Sequence, residues 1–117
     1  MTEIVQGSFD FSKQVTDAAI QRAVDHANVV HEDWSEKAFD FLKGYAEINP
    51  RFMTEDVRNA SAGAVPEPPS ARAWGGVVRR AVKAGIIYQR GTDRVKNVRA
   101  HGANAAVWMS TIVKRYR

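Results

Sequence analysis

The chain of 117 residues contains no cysteine. That excludes a disulfide framework, a thiolate nucleophile and every cysteine-ligated metal site, and leaves no mark of an oxidising compartment. Long apolar runs are missing as well. No stretch approaches the roughly 20 residues that span a bilayer, and the opening MTEIVQGSFD carries an acid where a secretory signal carries base. The chain is expected to be cytoplasmic, neither exported nor inserted in a membrane. Catalytic motifs are equally scarce: there is no G-x-S-x-G and no H-E-x-x-H, and GGVVRRAVKAG lacks the Gly-Lys-Ser/Thr ending of a phosphate loop. His26 and His31 miss the i, i+4 spacing that puts two metal ligands on one helical face, so no metal site is expected. Glu32, Asp33, Glu36 and Asp40 read as the solvated face of helices rather than as paired carboxylates. Neither an enzyme nor a cofactor is expected.

Acids are also missing from one half. Residues 1–69 carry 6 Lys and Arg against 12 Asp and Glu, a net of −6, whereas residues 70–117 carry 11 against 1, a net of +10. Asp93 is the one acid after Glu67. Such a split points to a polyanionic partner for the basic half far more strongly than the overall charge of +4 does.

What is present suits one compact domain with its own core. From Thr16, a candidate N-cap, TDAAIQRAVDHANVV places Ile20, Ala23, Val24 and Ala27 on one helical face, ending near Val30. WSEKAFDFLKGYAEINP repeats the period with Trp34, Ala38, Phe41, Leu42 and Tyr45, and Asn49-Pro50 stops it. RFM is extended, and Thr54 can cap a short helix, TEDVRNASA, with Val57 and Ala60 inward. The prolines of GAVPEPPS make a connection. Ser70 can then cap a helix over 70–84 whose apolar face is Trp74, Val77, Val78 and Ala81, with Gly85 as its left-handed terminator. IIYQRGT and AAVWMS, rich in β-branched and aromatic residues, read as two strands of a hairpin over 86–109 with a basic tip. Trp74 and Trp108 read as core anchors. The expected architecture is mainly α with a small β-hairpin: an N-terminal arm and accessory helix over 1–34, then a winged helix-turn-helix over 35–117.

Residues 35–110 also resemble the small winged helix-turn-helix domains of bacteriophages and prophages. The resemblance lies in TEDVRNA, in ARAWGGVVRRAVKAGII and in HGANAAVWMS. It implies a bacterial host, a role in transcription control or DNA replication, and a recognition helix at 70–84 lying in the major groove of duplex DNA.

The residues agree with that on their own terms. With the apolar stripe turned inward, Arg72, Gly75, Gly76, Arg79, Arg80 and Lys83 fall on or near the outward face. Arg72 and Arg79 are the candidates for reading bases, since a planar guanidinium bonds guanine O6 and N7 as a pair. The hairpin residues Arg90, Arg94, Lys96, Arg99 and His101 would form the wing, and Lys114, Arg115 and Arg117 could add phosphate contacts. Gly75 and Gly76 each cost a helix roughly 1 kcal/mol relative to alanine. Two readings stay open for them: close approach of DNA to bare backbone, or close packing against the preceding helix. A second functional reading also stands, in which the scaffold serves protein contacts and residues 1–34 form a homodimer or partner interface.

Overall fold

Asn28 and Asp33 set the first corner of the chain. They join α1 (Glu3–Val30) to α2 (Trp34–Ile48), and Asp33 takes φ 57°, ψ 28°, the left-handed region that Asp enters more readily than bulky residues. Asn28 reaches across from α1: its Oδ1 accepts the Ser35 N–H at 2.9 Å and its Nδ2 donates to Ser35 Oγ at 3.1 Å. A donor orphaned in the first turn of α2 is thereby satisfied from another helix. The structure, a computed structural model, describes residues 3–94 and 104–114, with side chains from residue 17 onward.

Thr16 lies inside α1 instead of capping it, because the helix begins at Glu3. No proline interrupts residues 3–15, and extending a helix already nucleated by a packed segment avoids the cost of starting one. α2 buries Trp34, Ala38, Leu42 and Ala46. It ends where the backbone N–H and Nδ2 of Asn49 both donate to the Tyr45 carbonyl, at 2.9 and 3.0 Å, ahead of Pro50.

β1 (Arg51–Met53) leads directly into α3 (Thr54–Ala60). Thr54 is the first residue of α3 and not its cap: Met53 holds the N-cap position, and its N–H is accepted by the Asp56 carboxylate at 2.9 Å, the return half of a capping box. The Thr54 hydroxyl instead accepts a hydrogen bond from Trp108 Nε1 at 3.1 Å. Past the proline-rich connection, Ser70 Oγ accepts the Arg72 N–H at 3.2 Å and Ser70 O accepts the Ala73 N–H at 3.1 Å. This tight i to i+3 turn delays α4 to Ala73–Lys83, three residues later than the periodicity suggests. α4 buries Ala73, Trp74, Val77, Val78 and Ala81.

At the end of α4, Ile86 N–H donates to the Ala81 carbonyl and Gly85 N–H to the Val82 carbonyl, both at 3.0 Å, the paired bonds of a Schellman motif. Gly85 sits at φ +79°, as the sequence leads one to expect. Gly85→Ala is expected to destabilise the fold by about 1–2 kcal/mol, the cost of a Cβ in the left-handed region. It should appear as a lower urea midpoint with an unchanged slope.

β2 (Ile87–Arg94) and β3 (Asn104–Ser110) pair antiparallel as the expected hairpin. An extra residue at Arg90–Gly91 shifts the register between Gln89 and Thr92, a bulge in which Gly91 takes φ +83°. The sheet is larger than a hairpin, however. β1 pairs antiparallel with the other edge of β3, Phe52 opposite Trp108 and Met53 opposite Val107, so the strand order is β1-β3-β2. Three residues are too few to show strand periodicity, and only the pairing reveals β1 as a sheet member.

Among the described residues the chain is thus a mixed fold of four helices and one three-stranded antiparallel sheet. A single core cluster joins Trp34, Leu42, Phe52, Val57, Trp74 and Ile87, and α1 contributes Ala23 and Ala27 to it. No helix among the described residues is long and apolar enough to cross a membrane.

Candidate nucleic-acid interface

α4 turns about 100° per residue, so the side opposite its buried stripe carries Arg72, Gly75, Gly76, Arg79 and Lys83. This is the face the sequence assigns to DNA, and α1 lies on part of it. A Cβ added at Gly75 would meet Ile20 Cδ1 at 2.9 Å, and one at Gly76 would meet Val24 Cγ2 at 2.5 Å. Next along, the Asp17 carboxylate pairs with the Arg79 guanidinium. The two glycines are therefore explained by close packing, against α1 and not against the adjacent helix α3. Local spacing gives no signal for that partner, because Ile20 and Val24 lie more than fifty residues away in the chain.

Arg80 sits at the border of the outward face and belongs to the seam with α2. Its guanidinium bonds both Glu36 carboxylate oxygens, at 2.8 and 3.3 Å, and lies 4.1 Å from the centre of the Phe39 ring. Two further cations are tied to acids. Arg51 reaches Asp93, the one acid of the basic half, at 3.2 Å. Lys114 reaches Glu47 at 3.5 Å and donates its backbone N–H to the Glu47 carbonyl at 2.8 Å.

Arg72, Lys83, Arg90 and Arg94 remain. All four are exposed, and none forms an ion pair among the described residues. Lys83 lines an open groove of roughly 520 Å³ between the C-terminal half of α4 and the sheet, together with Arg79, Val82, Tyr88, Gln89 and Trp108. Arg90 and Arg94 continue along β2, the strand that supplies Tyr88 and Gln89. Val82 and Tyr88 stay 41 % and 46 % exposed, which leaves apolar surface beside the cations. Sequence reasoning reached Arg79 and Lys83 of this groove but passed over Val82, Tyr88 and Gln89, although one signal was present: with Ile87 buried, strand alternation turns Tyr88 outward. Lys96, Arg99 and His101 of the hairpin tip, and Arg115 and Arg117 of the tail, lie outside the described residues.

Trp74 and Trp108 occupy anchoring positions. Trp74 is 1 % exposed and meets Trp34 edge to face, with ring centroids 5.4 Å apart. Trp108 packs partly buried against the core, with its N–H committed to Thr54. Trp74 is thereby closed to a base, whereas part of Trp108 still lines the groove beside Lys83. Lys83 in the groove, Arg90 and Arg94 along β2 and Arg72 at the start of α4 offer hydrogen-bond donors and positive charge without acid partners among the described residues, which suits an extended anion. Comparisons with protein-family models, with curated proteins and with solved structures found no match for this chain.

Proposed function

We propose that the chain is a duplex-DNA-binding protein that works as a winged helix-turn-helix, with α4 as the recognition helix and the β2–β3 hairpin as the wing. The observation that carries this reading is the set Arg72, Lys83, Arg90 and Arg94, placed at the N-cap of α4, at its last residue and along β2, without acid partners among the described residues. The order of elements supports it: α2, β1, α3, α4 and then a hairpin whose second strand pairs with β1. The resemblance of residues 35–110 to phage and prophage domains points to transcription control or replication as the setting.

Phosphate neutralisation releases counterions, so binding must weaken as salt rises. Four to six contacts correspond to a log–log slope of about −4 to −5, or an affinity loss on the order of 10² to 10³ between about 50 and 200 mM salt. Fluorescence anisotropy with a random duplex of about 20 base pairs measures this. Absence of binding at the lowest salt, or affinity indifferent to salt, would overturn the reading.

A further inference from the structure

α1 occupies the side of α4 that a major-groove contact would use. A helix with its side chains is about 10–12 Å across, and the major groove is about 12 Å wide. The groove therefore admits α4 alone and not α4 with a second helix laid over its outward face. Among the described residues three contacts cover that face, Ile20 against Gly75, Val24 against Gly76, and Asp17 on Arg79, while Ala23 and Ala27 enter the core and Asn28 bonds Ser35 of α2 further along the helix. The Asp17 contact places a carboxylate where a DNA phosphate would sit, since both anions match the guanidinium fork.

The covering contacts are made by small groups. Among the described side chains of α1, Ile20, Ala23 and Ala27 are buried, two of them with a single methyl to offer, and Val24 packs partly buried beside them. A cleft of roughly 220 Å³ remains where Gln21 and Val24 face Ser35, Gly76, Val77 and Arg80. The Asp17 and Arg79 side chains are 49 % and 42 % exposed, so water weakens their attraction.

We infer that α1 is a displaceable, autoinhibitory cover on α4. Closed, it withholds Gly75, Gly76 and Arg79 from the groove; open, it frees them while Lys83 and the hairpin keep their phosphate contacts. Duplex phosphates compete with Asp17 for Arg79 and so favour the open form. The bare backbone at the two glycines then serves both states, admitting α1 in one and the wall of the groove in the other. This inference rests on the DNA-binding reading above.

The absence of cysteine makes the cover easy to lock. A Cβ at Gly76 lies 3.9 Å from Val24 Cβ, within the roughly 3.5–4.5 Å of a disulfide. The full chain carrying Val24→Cys with Gly76→Cys should close when oxidised and open freely when reduced. Measured with the random duplex of about 20 base pairs, the oxidised protein is expected to bind about tenfold or more weakly than the reduced one, because apparent affinity scales with the open fraction. Ile20→Ala with Val24→Ala thins the contact from the α1 side and leaves the DNA-facing residues of α4 intact. With no cross-link it should bind more tightly than the unaltered chain, and it decides the matter if the cysteine variant does not fold. Equal affinities of the oxidised and reduced protein, or of the double-alanine variant and the unaltered chain, would overturn the cover and leave the DNA reading standing. Absence of binding by every form, the double-alanine variant included, would remove both.

Discussion

Alanine at Lys83, Arg90 and Arg94 together is expected to lower the affinity for a random duplex by two to three orders of magnitude at about 0.1 M salt. Each phosphate contact contributes about 0.9 to the salt slope, which at that concentration corresponds to roughly an eightfold factor. The slope itself should become shallower by about 3. All three side chains are exposed, so the fold should change by no more than about 0.5 kcal/mol per site, and a lost signal reports binding. Arg80→Ala is the informative contrast. Its guanidinium already belongs to Glu36 and Phe39, and its removal should leave the salt slope nearly unchanged. An Arg80→Ala loss of about one third of the triple variant's, in slope and in log affinity, would show that binding follows total charge and not this surface.

Trp34→Ala should have the largest effect on stability, about 3–5 kcal/mol, the range for deleting a fully buried tryptophan side chain. Trp34 is 0 % exposed, meets Trp74 edge to face at an interplanar angle of 79°, and donates from Nε1 to the Pro66 carbonyl at 2.7 Å. It thereby ties α2 to α4 and also to the proline-rich connection that delivers the chain into α4. A domain of this size has a total stability of about 5–15 kcal/mol, so the substitution consumes a large share of it. Trp34→Phe retains the ring contact but strands the Pro66 carbonyl, a loss of about 1–3 kcal/mol. Urea unfolding followed by circular dichroism separates the two. A Trp34→Ala midpoint close to that of the unaltered protein would show that the Trp34–Trp74 contact is not central to the core.

The two tryptophan positions also show how much of the fold is readable along the chain. Trp34, Leu42, Trp74, Val77, Val78 and Ala81 stand at helical spacing, and all are buried as that spacing implies. Asn49-Pro50 and Gly85 end helices where their backbone chemistry requires it. These are local properties, carried by residues a turn or two apart. Capping was less legible: α3 starts one residue earlier than expected, so Thr54 lies inside it, Asp56 accepts the Met53 N–H, and the Thr54 hydroxyl takes the N–H of Trp108, fifty-four residues away.

The candidate interface divides in the same way. The charge split between the halves, the apolar stripe of α4 and the basic character of its other side follow from composition and periodicity alone. Which cations stay unpaired does not. Arg79, Arg80, Arg51 and Lys114 each meet an acid from a distant segment, whereas Arg72, Lys83, Arg90 and Arg94 do not. Gly75 and Gly76 mark from sequence alone a place where something comes close to α4. That it is α1, through Ile20 and Val24, was decided only by tertiary structure. Residue spacing dictates which side chains share a face, but the segment that covers the face depends on how whole elements pack around one core.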